Sequence, residues 1–179
     1  MTGRLTSVLG LLLAAGAASG VLAEAQEQAP PASINEWSQR MLNEHNRARD
    51  EASVPRLRWS GKLAREAQAW AEVLAREGRM RHSDGQVGSG AGENLWMGSA
   101  GYFGPEAMIG TFVEEKQYFL RGTFPRVSST GRWEDVGHYT QVVWRDTREV
   151  GCAVARNARD DFLVCRYWPA GNWMGEAPF

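Results

Sequence analysis

Residues 137–172 read GHYTQVVWRDTREVGCAVARNARDDFLVCRYWPAGN, and at their centre is a hairpin. The runs at 150–155 (VGCAVA) and 162–167 (FLVCRY) are short and apolar, and they flank a polar turn, RNARDD at 156–161. This is the pattern of two strands and their connection. Centring the hairpin between Ala158 and Arg159 sets Cys152 directly opposite Cys165. Directly opposed antiparallel positions have Cα separations that a disulfide spans. A bond closing a loop of roughly 15 residues contributes about 3 kcal/mol in the chain-entropy description. Just upstream, HYTQVVW at 138–144 alternates, with His138, Thr140, Val142 and Trp144 on one side. That spacing predicts a further strand.

Working outward, the N-terminal half is helical by period. Ile34, Trp37, Met41, His45 and Ala48 fall three or four apart and predict a helix over 35–52, closed by Pro55. A second helix follows Ser60, a natural N-cap, with Leu63, Ala67, Trp70 and Leu74 on one face and Gly78 as its stop. A third starts near Pro105, with Met108, Phe112, Glu115 and Phe119 as its stripe. Glu115 is out of place there. It points with the apolar face, whereas Glu114 is rotated by about 100° toward water. A carboxylate on an apolar face is costly unless paired, hydrogen-bonded or bound to metal. The other reading is a face-edge Glu that reaches solvent.

The N-terminus reads as a secretory signal. Arg4 is a short positive region, 5–18 is uncharged and rich in Leu, Ala and Gly, and Ala23 and Ala25 flank Glu24 as an A-x-A site. Cleavage after Ala25 makes 1–25 the signal peptide, 26–33 (QEQAPPAS) a flexible leader and 34–179 the single domain. A membrane anchor is the alternative, but the stretch is weakly hydrophobic. Export places two cysteines in an oxidising compartment, where a disulfide persists. The net charge of −1 gives no footprint for nucleic acid, and no basic run is long enough for anionic lipid. Eight Trp is many for 179 residues, and buried aromatics account for such a count more readily than a binding surface.

Taken together, HNRAR at 45–49, HS at 82–83, GENL at 92–95, EKQYF at 115–119, GHYTQVVW at 137–144, GC at 151–152 and CRYWPAGN at 165–172 resemble the CAP family. This is the group of pathogenesis-related-1, antigen-5 and cysteine-rich secretory proteins, and the plant pathogenesis-related-1 branch with its bacterial relatives is the nearest match. The blocks cover nearly all of 37–179. The resemblance implies an α+β fold, a three-layer α–β–α sandwich with a central antiparallel sheet. It also implies a cleft with a tetrad of His82, Glu93, Glu115 and His138 able to take zinc or another divalent cation. These residues are 11, 22 and 23 positions apart, with no metal-motif spacing. The retained Cys152–Cys165 pair matches a C-terminal family disulfide. Phe112 and Arg166 depart from the family pattern. The remaining motif residues read structurally: His45 as a core histidine, Arg49 as a helix-anchoring ion pair, Gly137 and Gly151 for backbone geometry, and Asn172 for a turn.

Function is argued from the site, since fold does not carry it. The resemblance implies a secreted or periplasmic binding protein for a small hydrophobic ligand, a sterol or fatty acid, with metal at the tetrad. Trp96, Tyr102 and Phe103 follow GENL among Gly98, Gly101 and Gly104 and are candidates for an apolar loop holding that ligand. They are equally readable as core plugs. Two alternatives remain. A zinc-dependent hydrolase or protease would use the same tetrad, but no catalytic residue is assigned, because Ser83 beside His82 is adjacency and not a triad. The segment 169–179 also resembles a signalling peptide released from some plant members.

Overall fold

A computed structural model describes residues 1–3, 34–84 and 90–179. The signal peptide and leader expected over 1–33 lie outside the described residues beyond residue 3. The unit from Ser33 to Phe179 contains α1 (Glu36–Glu51), β1 (Arg58–Trp59), α2 (Gly61–Glu77), β2 (Gly92–Ser99), α3 (Pro105–Glu114), α4 (Gly137–Val142), β3 (Glu149–Arg156) and β4 (Asp160–Trp168). Short 3-10 turns occupy Glu115–Tyr118 and Trp133–Asp135.

Local chemistry sets the helix ends. Asn35 Oδ1 accepts from the Ser38 amide at 2.8 Å and starts α1. Ser60 caps α2, and Gly78 ends it in the left-handed region at φ 66°, where a side chain would be strained. The predicted faces are the buried ones: Met41, His45 and Ala48 on α1, and Leu63, Ala67, Trp70 and Leu74 on α2.

The sheet runs β1-β3-β4-β2. The two long interfaces are antiparallel, while β1 adds a short parallel pairing to β3 at Arg58–Glu149 and Trp59–Val150. In the β3–β4 hairpin Cys152 pairs with Cys165, as the centring predicted, and the two form a disulfide. Asn157 Oδ1 accepts from the Arg159 and Asp160 amides and shapes the turn. Both sheet faces are buried, so alternation divides the strands between two cores. Cys152, Leu163, Cys165 and Tyr167 face α1, α3 and α4, whereas Ala153, Ala155, Phe162 and Val164 face α2. The result is the expected α–β–α sandwich. Gly151 permits its close packing, because a Cβ there would collide with the Ala64 amide and the Ser60 carbonyl at the start of α2. The tryptophans divide: Trp70 and Trp144 are buried, but Trp168 and Trp173 stay exposed.

Three expectations are corrected. The strand predicted at 138–144 is the helix α4. Tyr139, Thr140, Gln141 and Val142 are all buried, so no solvent face marks the period, and a short apolar run does not distinguish strand from helix. What selects the helix comes from a distant residue. Glu115 Oε2 accepts from the His138 and Tyr139 amides at 2.9 and 3.1 Å, satisfying donors that a helix start leaves open. The third helix stops at Glu114, and Glu115 opens the 3-10 turn instead of extending the stripe. Arg49 makes no ion pair among the described residues. Its guanidinium donates to the carbonyls of Pro55, Val142, Trp144 and Thr147 at 2.6–3.1 Å, anchoring the C-terminal end of α4 to α1. A planar five-donor fork suits a cluster of backbone carbonyls.

Candidate metal-binding cleft

His82, Glu93 and His138 line one cleft of about 360 Å³, and Glu115 pairs with His138. His82 precedes β2 and His138 stands in the first turn of α4. Both line the cleft with Glu93 and Asn94 of β2. His82 Nδ1 donates to Glu93 Oε1 at 2.7 Å, and the Ser83 amide donates to the same oxygen at 3.1 Å. His138 Nδ1 donates to Glu115 Oε1 at 2.6 Å, while Glu115 Oε2 takes the α4 amides already described. Phe112 stacks on the His138 ring, 4.9 Å between centroids and 15° between planes.

Both pairs therefore have one polarity. A carboxylate on Nδ1 holds the proton there and leaves Nε2 with its lone pair. Neither Nε2 has a hydrogen-bond partner among the described residues, and the His82 side chain is 66% exposed. Imidazole nitrogens with free lone pairs are the donor type that a zinc-like divalent cation takes. Burial works to raise the pKa of Glu93, but the His82 hydrogen bond, the Arg166 charge and the Ser83 amide together hold it below the ordinary carboxylate value.

Behind the cleft a buried relay fixes the backbone of His138. His45 Nδ1 donates to the Met41 carbonyl at 2.8 Å, so its Nε2 accepts from the Tyr167 hydroxyl at 2.9 Å. Asn94 Nδ2 donates to that hydroxyl at 3.2 Å and to the His138 carbonyl at 3.1 Å. Burial lowers the His45 pKa to about 4. His45 is thus the satisfied core histidine that its helix stripe predicts. It also stands near Cys152 and Cys165, the ligand-type atoms of the three lying within 4.8 Å of one another. Joined sulfurs and two occupied ring nitrogens make that cluster no metal site.

The lipid candidates Trp96, Tyr102 and Phe103 are not among the residues that line the cleft. Trp96 is part of β2 instead of a loop, with Phe103 edge-on at 5.2 Å and Tyr102 on Phe103 at 5.0 Å. Tyr102 is 80% exposed. Ser83 Oγ accepts from Arg166 Nη2 at 3.0 Å, and no hydrogen bond joins it to His82 among the described residues. Residues 169–179 are bound into the body. Gly171 and Asn172 line the cleft. Asn172, at φ 59°, bonds the Gly137 carbonyl and the Thr140 hydroxyl. The Arg145 amide bonds the Pro178 carbonyl, and Phe179 stacks on Phe119 at 5.3 Å. Arg166 is the residue that sequence reasoning missed. Its signal was a charge within the apolar run FLVCRY.

Fold and cleft together define an α–β–α sandwich domain with a paired His/Glu site and a hairpin disulfide. The chain belongs to the cysteine-rich secretory protein (CAP) family, whose model matches residues 42–167, and within it to the pathogenesis-related-1 branch. It is 37% identical over 139 residues to pathogenesis-related protein 1A of Nicotiana tabacum, covering 77% of this chain and 78% of that protein. Pathogenesis-related protein PRMS of Zea mays is 36% identical over 176 residues, covering 97% and 96%. Among solved structures, NaASP2 with Zn2+ superposes with a TM-score of 0.66 at 24% identity, over 84% of this chain and 88% of that one. BmVAL-1 gives 0.67 at 20% identity, over 83% and 84%.

Proposed function

We propose that this is an exported binding protein whose cleft holds a divalent metal on Nε2 of His82 and Nε2 of His138. The observation that carries the reading is the shared polarity of the two pairs: each Nδ1 is taken by a carboxylate, and each Nε2, on a residue lining the same cleft, has no hydrogen-bond partner among the described residues. Glu93 and Glu115 orient the rings and raise their basicity rather than ligating. Bound zinc would supply a Lewis-acid centre with open positions for water or a ligand group. Binding is favoured over metal-dependent hydrolysis because both tetrad carboxylates are committed to imidazoles and backbone amides, leaving neither free as a general base.

Zinc is the probe of choice, since imidazole pairs suit it and NaASP2, of the same fold, was solved with it. Calorimetry at pH 7.5 tests the site. Expected is one zinc per chain, lost in His82→Ala and in His138→Ala, and weakened at pH 5.5, where protons compete for the same nitrogens. No heat above buffer with folded protein would leave the tetrad as a structural network.

A second part of the reading is a sterol or fatty-acid site at Trp96, Tyr102 and Phe103. Its support is an aromatic trio held edge-on with one ring almost fully in solvent. Exposed aromatic clusters of this kind mark binding surfaces.

A further inference from the structure

Strand register places Glu93 of β2 directly opposite Arg166 of β4. Both are buried, with the Arg166 side chain 2% exposed and that of Glu93 8%. Arg166 Nη2 lies 3.0 Å from Glu93 Oε2, and the same nitrogen donates to Ser83 Oγ at 3.0 Å. The Ser83 amide in turn donates to Glu93 Oε1, the oxygen that receives His82 Nδ1. Three residues, His82, Ser83 and Arg166, thus surround one carboxylate, and each of its oxygens has a separate task. Neither Glu93 Oε2 nor Arg166 Nε has a well-aligned hydrogen bond among the described residues, so the charge of the arginine, more than its bonding pattern, holds that oxygen inward.

We infer that Arg166 is a positioning residue for the His82 half of the metal site. It draws Oε2 of Glu93 to itself and so turns Oε1 toward His82, fixing the ring with its proton on Nδ1 and its Nε2 presented to the cleft. This rests on the proposed role of the cleft. Among the described residues the other half of the site has no such device: Glu115 is oriented by the backbone amides of α4. Removing the arginine leaves a buried carboxylate with no counter-charge, an arrangement that burial does not tolerate. Glu93 then turns out toward solvent and lets the His82 ring go, while His138 keeps its geometry.

The chain has three histidines, so nitrogen NMR of the imidazoles separates His82 from two internal controls. Spectra of the metal-free protein at pH 8.5, above the ordinary histidine range, are compared for wild type, Arg166→Met, Arg166→Lys and Ser83→Ala. Expected in wild type is the Nδ1–H form at His82 and His138. In Arg166→Met only His82 shifts toward the Nε2–H form, and zinc affinity falls about 10- to 100-fold, the usual effect of losing an outer-shell partner. Arg166→Lys restores both. Ser83→Ala, a milder change around the same carboxylate, moves His82 in the same direction and keeps the test open if Arg166→Met does not fold. A His82 signature and zinc affinity unchanged in both Arg166→Met and Ser83→Ala would overturn the inference. If the His82 shift occurs but the wild type binds no zinc, the positioning role stands and the metal reading falls.

Discussion

Lowering the pH from 7.5 to 5.0 should remove about 2 kcal/mol of stability through His45 alone. His45 is fully buried, and its ring is neutral in the fold, donating to Met41 and accepting from Tyr167. Burial, the largest influence, lowers its pKa to about 4 from an ordinary 6.5. The Met41 bond opposes that shift and the Arg49 charge adds to it. Between those two values the unfolded chain binds the proton and the folded chain does not. The stabilisation is therefore complete above pH 6.5 and is lost as pH falls toward 4. The whole window is worth about 3 kcal/mol, most of it spent by pH 5. Urea unfolding of wild type and His45→Gln at both pH values isolates this contribution, because every other titrating group is common to the two. The stability gap between them should narrow by about 2 kcal/mol at the lower pH. A gap constant to within about 0.5 kcal/mol would refute a neutral, buried His45.

Arg49→Ala strands four carbonyls that share one guanidinium and should destabilise by about 3 kcal/mol or more in urea, with no rescue by added salt. Replacing Cys152 and Cys165 by Ser should cost about 3 kcal/mol, and thiol titration of the unreduced wild type under denaturing conditions should find no free cysteine. Trp96→Ala or Phe103→Ala should weaken sterol or fatty-acid binding by about 1–3 kcal/mol, while Glu93→Gln leaves it unchanged. The reverse pattern would move the ligand site to the cleft.

How much of this was readable in the chain differs by element. Both long helices were readable to within a residue or so, because Asn35, Ser60 and Gly78 act locally as caps and stops. The hairpin register was readable because a turn fixes the pairing on both sides of it. Residues 138–144 were misread because the helix there is selected by Glu115, 23 positions upstream in the chain, and is buried from Tyr139 through Val142. Periodicity showed that Glu115 was out of place but not what it caps. The tetrad came through family resemblance, since its two pairs form only after a strand, a 3-10 turn and a short helix are in place. Arg166 stood in plain view as a charge in an apolar strand. Its partner became visible only with the β2–β4 register.

The most direct test of the metal site is anomalous diffraction at the zinc edge from crystals of the zinc-loaded protein. Expected is a single peak about 2.0–2.1 Å from Nε2 of both His82 and His138, with Glu93 and Glu115 still on the Nδ1 atoms. A zinc held by the carboxylates with those Nδ1 bonds broken, or no peak in the cleft, would contradict it.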